Sequence, residues 1–322
     1  MRRREFITLI RGGAAAAWPF TARAQQPSLP VIGILNDSGS DWAGAFRQGL
    51  KEGGLVEGRD VTTNLRSTEQ YAELRPLAEQ FVQRRVALIA ALGGVPSKVA
   101  KAATTTIPIV FAIGGDPVEV GLVPNLNHPG GNITGATFFA AQLLQKQVDL
   151  LHDLVPRATS IGVLVNPNNP RYQSDVGDVQ AAAHTLKLEI HVAKAGDESN
   201  LDAAFVDFAA HNARALLIAG DAFFLAERKK IAALAAGYEI PTIYNVRDFV
   251  VAGGLVSYGP NVPNVFRQVG GYAARIVKGE EAGDLPVMQP TKFDLIINMK
   301  AAKALGLEVP PYLQQLADEV IE

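Results

Sequence analysis

From Pro30 onward, short apolar runs alternate with amphipathic stretches. Pro30-Val31-Ile32-Gly33-Ile34-Leu35 is continuous apolar chain and ends in the polar loop NDSGSDW. Trp42, Phe46 and Leu50 follow at i, i+4 and i+8, a helical period that Gly53-Gly54 stops. Asp60-Val61-Thr62-Thr63-Asn64 reads as a second strand and Tyr71 to Arg84 as a helix. Val86 to Ala91 is a third strand, Pro96 to Ala103 a third helix, and Ile107 to Ile113 a fourth strand. Continuous apolar strands separated by amphipathic helices predict a parallel sheet covered on both faces.

The rhythm then restarts. Ile161 to Val165 ends in NPNNP, a helix is expected around Val176–Leu186, and a strand at Leu188–Val192. Helix Leu201–His211 leads to strand Ala215–Ile218, and helix Leu225–Gly237 to strand Thr242–Tyr244. Three crossings between the halves are expected, at Asn132–Phe139, Gly254–Gly259 and Leu285–Lys292. Helix Val262–Lys278 should return to the first half, and strand Phe293–Asn298 with helix Met299–Leu305 to the second. The fold class is α/β: two doubly wound parallel-sheet lobes joined by three crossovers. The first lobe is placed at 29–137 plus 258–285, the second at 138–257 plus 286–322. Such sheets bind ligands beyond the carboxyl ends of their strands, so both lobes should aim polar loops at a shared cleft.

The N-terminus changes where this protein is expected to act. Arg3-Arg4-Glu5-Phe6-Ile7 fits the pattern R-R-x-F-hydrophobic of a twin-arginine export signal, and Ala22-Arg23-Ala24 an A-x-A cleavage site. Arg11 and two glycines interrupt the apolar stretch, which is too short to span a bilayer. Cleavage after Ala24 takes 24 of the 322 residues and leaves 298, a length for two lobes. It removes five Arg and one Glu, so 25 basic residues face 31 acidic ones at a net charge of −6. That balance, with no basic stripe, argues against nucleic acid as a partner. The chain has no cysteine for an acylated anchor, a disulfide or a thiolate zinc site. A freely diffusing monomer in the periplasm is the expectation, with no membrane insertion of the mature chain.

Catalytic signatures are few. The chain has no G-x-x-x-x-G-K-[ST], G-x-S-x-G or H-E-x-x-H. None of the five histidines (His128, His152, His184, His191, His211) is read as pairing at metal-ligand spacing, so neither a metal nor a cofactor is expected. The candidates are loops at strand ends. Gly94, Val95 and Ser97 open a helix after strand three, where free N–H groups and a hydroxyl suit a carboxylate. An ordinary tight turn is the competing reading. Asp221 either holds an ammonium or simply caps the helix after it, with Phe223 a stacking surface. Asn166 and Asn168 read a polar ligand or shape a Pro-Asn turn. Trp42 is a lid or a core aromatic, and Tyr244 turns its hydroxyl to the cleft or its ring to the core. In Gly114-Gly115-Asp116-Pro117-Val118-Glu119, Asp116 is expected to start a helix with Pro117 at its first position and Glu119 reaching back. Gly115 and Asp116 are kept as candidates for a ligand contact at the strand end. The segment lacks the G-x-G-x-x-G spacing of a dinucleotide cradle.

IPIVFAIGGDPVEVGLV, HPGGNITG, GGLVSYGP, LPVMQPTKFDLIINMKAAKALGLEVPP and the closing ADEVIE carry a family resemblance, to which FRQGLKEGGLVEGRDV adds. Together they resemble the periplasmic substrate-binding proteins of ABC transporters, the ABC_sub_bind family, with its tryptophan- and tyrosine-binding members. The resemblance implies a type I periplasmic-binding-protein fold, capture of a small solute, and a membrane permease as partner. It implies a ligand carboxylate on Gly94–Ser97 and an amine on Asp221. NDSGSDW is shorter than the corresponding family loop. An exported α/β enzyme using isolated carboxylates is the alternative, as is a sensor subunit. A repressor core is disfavoured, because no helix-turn-helix fits ahead of the first strand.

Overall fold

The computed structural model describes residues 29–37, 43–68, 70–138, 143–289 and 292–322. The export signal and Trp42 lie outside the described residues. The first lobe runs β1 (Val31–Asn36), α1 (Ala43–Glu52), β2 (Thr62–Ser67), α2 (Tyr71–Gln83), β3 (Leu88–Leu92), α3 (Gly94–Ala103), β4 (Ile109–Ile113) and β5 (Ile133–Thr137). The second runs α4 (Leu143–Leu154), β6 (Ser160–Val165), α5 (Tyr172–Thr185), β7 (Glu189–Lys194), α6 (Glu198–Ala210), β8 (Ala215–Ile218), α7 (Ala222–Ala226), α8 (Arg228–Gly237), β9 (Thr242–Tyr244), α9 (Arg247–Val251) and β10 (Val256–Pro260). Then α10 (Val262–Val277) returns to the first lobe, and β11 (Phe293–Asn298), α11 (Met299–Ala304), α12 (Pro311–Leu316) and β12 (Glu319–Ile321) close the second.

The sheets order as β2-β1-β3-β4-β5 and β12-β11-β10-β9-β8-β6-β7. Every pairing is parallel except β10 with β11. Side chains alternate across a strand, so each apolar strand feeds two cores. Ile32 and Ile34 join the cluster beneath α1 and α10, while Leu35 joins the one beneath α2 with Leu74, Ala78 and Phe81. The same split divides Leu88 and Ala90 from Ile89 and Ala91. In the second lobe, Val163 and Leu217 face α4 and α5, while Leu164 and Leu216 face Phe205 and Phe208 of α6.

Several boundaries differ from the sequence reading for local reasons. β2 begins two residues late because the turn at Gly58 (Gly58 N–H to Val61 O, 2.8 Å) consumes the residues before it. The helix expected from Leu225 is two helices, broken at Glu227. Asp116 caps only one hydrogen-bonded turn, accepting from Val118 N at 2.8 Å, and no α-helix follows because Gly121 turns away at φ 73°. Val256–Pro260 is a strand of the second sheet, so the chain leaves that sheet after Pro260 rather than within Gly254–Gly259. In the third crossing, Met288 N donates to Gly135 O at 2.9 Å and lies along β5 before the chain reaches β11.

Helices α1 and α10 touch backbone to backbone. A Cβ at Gly270 would lie 2.1 Å from Phe46 O, and one at Gly49 would lie 1.8 Å from Arg267 O. Gly271, next along α10, has nothing within 4 Å of such a Cβ. Gly270→Ala must therefore separate the helices, while Gly271→Ala only relieves backbone entropy. Urea unfolding is expected to show Gly270→Ala losing about 1–3 kcal/mol and Gly271→Ala gaining about 0.5–1 kcal/mol.

Candidate functional site

In each sheet the strand order reverses once, between β1 and β3 and between β6 and β8. Those switch points splay the following loops apart and leave a crevice at the carboxyl ends. The loops of the two lobes meet across one cavity of about 220 Å³. One water occupies roughly 10–15 Å³ by this measure, so the space suits a solute of about fifteen heavy atoms.

Four strand ends build the first-lobe wall. Asn36 ends β1 and Asp37 follows it, and both are buried. Gly93 and Gly94 follow β3, and Gly114 and Gly115 follow β4. Phe138, just past β5, adds an aromatic wall. Gly93 sits at φ 131°, and a Cβ there would lie 2.1 Å from Asp37 Oδ1. Glycine both permits that conformation and makes room for the carboxylate. The first N–H groups of a helix lack intrahelical acceptors. In α3, Pro96 has no N–H and Ser97 N–H already reaches Gly93 O at 3.1 Å. Gly94 and Val95, both at the cavity, keep theirs for another acceptor.

Asp221 organises the opposite wall. Its Oδ1 accepts from Asn166 Nδ2 at 2.9 Å and from Phe223 N at 2.9 Å. Its Oδ2 accepts from Asn169 Nδ2 at 2.9 Å and, across the cleft, from Tyr71 Oη at 3.4 Å. Asp221 thus caps α7 and lines the cavity at once. Arg171 pairs with buried Asp175 at 2.9 Å and lies against Gly115 of the other lobe. Burial raises the Asp175 carboxyl above its ordinary value, against the opposing pull of Arg171.

Asp37 and Asp221 line the same cavity from opposite lobes. Burial, then the charge of Asp221, pushes Asp37 up to about 7. Burial and the same two carboxylates raise the Tyr71 phenol, which therefore stays a hydrogen-bond donor.

The sequence candidates divide. Gly94, Val95, Gly115 and Asp221 line the cavity. Ser97 does not: it is fully buried, and its hydroxyl donates to Gly93 O at 2.6 Å, because one turn into α3 its side chain faces the sheet. Tyr244 is a core residue, stacked on Phe249 at 4.6 Å. Asn245 and Val246, past the strand end, reach the cavity instead. Phe223 packs against the core cluster and does not line the cavity, while Ala222 and Leu225 do, Leu225 being also a buried member of that cluster. Asn166 holds Asp221 from behind, and Asn168 N–H donates to Asn166 Oδ1 in a local turn. The Asp116 carboxylate is spent on its own turn. Asp37, Tyr71, Asn169 and Arg171 were not singled out from sequence. Asp37 carried a signal, as an acid directly after the first apolar strand. One expectation on histidines is corrected: His211 stands four residues past Asp207, and the two meet at 3.2 Å at the end of α6.

Two wound lobes with a shared cavity at their strand ends define the type I periplasmic-binding-protein class. The chain belongs to the family of ABC transporter substrate binding proteins, which matches residues 30–321. A tyrosine-binding protein of Clostridioides difficile is 25% identical over 264 residues, covering 82% of this chain and 76% of that one. A conserved domain protein from Vibrio cholerae superposes with a TM-score of 0.84 at 25% identity, over 90% of this chain and 99% of that one. An ABC domain in complex with L-Trp from Streptococcus pneumonia superposes at 0.83 with 21% identity, over 91% and 100% of the two chains. The family and the curated relative are substrate-binding proteins rather than enzymes. Among the described residues no helix is long and apolar enough to cross a membrane.

The raised Asp37 carboxyl sets a pH dependence. Between its unfolded value of 3.8 and about 7, the folded chain holds a proton that the unfolded chain has released. The Asp37 contribution to stability is therefore complete below about pH 4 and is lost as pH rises toward 7. Asp37→Asn removes that loss. Its urea midpoint is expected to match wild type at pH 4 and to exceed it at pH 8, by about 2–4 kcal/mol in unfolding free energy.

Proposed function

We propose that this protein is the solute receptor of an ABC importer, exported to the periplasm, and that it closes its lobes around an amino acid or a related small carboxylate. The observation that carries this reading is the polarity of the cavity. One wall offers the N–H groups of Gly94 and Val95 at the start of α3, with Lys98 one turn further on. The other offers Asp221, with Asp37 opposite it. Helix N-termini favour anions, and paired carboxylates favour a cation. A zwitterion satisfies both: its carboxylate on Gly94 and Val95, its ammonium between Asp221 and Asp37. Apolar positions such as Phe138, Leu144 and Phe266 leave room for an apolar or aromatic side chain. The tyrosine-binding relative and the L-Trp complex of the structural neighbour support this solute class.

Closure follows from a ligand that touches both lobes, as a population shift rather than a chemical step. Tyr71 and Arg171, reaching from one lobe to the other, are positioned to report that closure. The arginine pair and the A-x-A site support export, and the family supports a permease as partner.

Thermal melts of the mature protein against amino acids test the reading. An amino acid at about 100 times its Kd should add about 2.7 kcal/mol, while the matching amine or acid lacking one charged group should add little. Asp221→Asn keeps one oxygen for the helix cap and Asn166 but turns an amide NH2 toward the Asn169 and Tyr71 donors, so binding should weaken by about 1.5–3 kcal/mol and stability should fall by about 1–2 kcal/mol as well. A folded protein that no amino acid or small carboxylate stabilises would overturn the assignment.

A further inference from the structure

A second cluster of ionisable groups lies away from the cavity. Asp207 and His211 stand four residues apart and meet at the C-terminal end of α6. The edge strand β7 brings His191 beside them. His191 Nε2 lies 2.6 Å from Asp207 Oδ2, and His211 Nδ1 lies 3.2 Å from Asp207 Oδ1. His211 Nδ1 also lies 2.9 Å from the backbone oxygen of Asp207, a contact that it must leave in order to ligate an ion. The two rings stack, with centroids 3.8 Å apart at 16°, and one ligand atom from each of the three residues lies within 4.8 Å of the others. Phe208 packs edge-on to His191 at 6.1 Å and orients that ring. None of the three lines the cavity.

We propose that His191, Asp207 and His211 form a binding site for a divalent transition-metal ion of the zinc class. Two imidazoles and a carboxylate are a zinc donor set that leaves a fourth position for water. Tetrahedral zinc with bonds of about 2.0–2.1 Å holds its ligand atoms about 3.3 Å apart. The His211–Asp207 contact is at 3.2 Å and the His191–Asp207 contact at 2.6 Å, through different carboxylate oxygens, so ligation turns the two imidazoles out of their stack until both ring planes meet at the ion. All three groups are partly exposed, which gives an ion its entry path. Calcium and magnesium want six or more oxygen ligands, and this cluster has one carboxylate. A bound ion replaces the protons shared between carboxylate and imidazoles and ties the edge strand to α6.

The test uses the untagged protein and Zn2+, Ca2+ or Mg2+ alone. Zn2+ at micromolar concentration is expected to raise the melting midpoint saturably by several degrees, with one ion bound per chain in equilibrium dialysis. Ca2+ and Mg2+ should leave the midpoint unchanged. His191→Ala and His211→Ala should each weaken zinc binding about tenfold or more, with a solute response like that of wild type. Proton–nitrogen spectra of the wild-type imidazoles need no substitution: Zn2+ should move the His191 and His211 signals and leave His128, His152 and His184 in place. No saturable zinc shift, an equal response to Ca2+, or movement of the other histidines instead would overturn the site.

Discussion

The Asp221 carboxylate is the interaction on which the second-lobe wall depends. It ends the chain's exit from β8, caps α7, and takes an amide hydrogen from each of Asn166 and Asn169. Those two asparagines belong to the loop after β6, so one side chain fixes two neighbouring loops at the point where the strand order reverses. A third partner, Tyr71, comes from the first lobe. The carboxylate therefore has structural work in one lobe and a bond across the cleft. The two readings left open from sequence, cap and cavity group, are not exclusive geometrically.

Placing a second carboxylate opposite it gives the cavity its character. Asp37 stands where burial and a like charge both oppose ionisation. A cation entering between the two acids reverses that penalty, whereas water cannot. Gly93 makes the arrangement possible, since any side chain there would occupy the volume of the Asp37 carboxylate. The glycines around the strand ends thus shape where charge can be buried.

Much of the architecture was legible because buried parallel strands are continuous apolar runs and their helices are periodic. The return of α10 to the first lobe was legible as well, from the apolar face of Val262, Val265, Phe266 and Val269. The losses came where tertiary partners decide. Val256–Pro260 contains Gly259 and ends in proline, so it reads as a crossing, yet pairing with β9 and β11 on either side makes it a strand. The closing Glu319–Ile321 has too few residues to announce itself and exists through β11. At the site, periodicity placed Gly94 and Asp221 at the right strand ends but not the side chains one or two residues on. Ser97 and Tyr244 face inward because of the phase of α3 and β9, which composition does not reveal. Asp37 carried a signal as an acid after the first apolar strand, but the carboxylate that acts on it stands 184 positions later. The Asp207–His211 spacing was readable on one helix, but its third partner arrives from a separate strand.

The close seating of α10 on α1 bears on how the molecule is made. Arg267 and Glu52, joined at 2.9 Å, are 215 residues apart in the chain. The first lobe is encoded almost entirely before residue 138, yet one of its covering helices is synthesised only after the whole β6–β10 segment. An emerging chain must therefore carry an apolar sheet face covered only in part, by α1, while the second lobe is being made. Final closure of that face is a long-range event, of the kind that slows folding, and it makes the nascent first lobe a natural client for chaperones until Val262–Val277 docks.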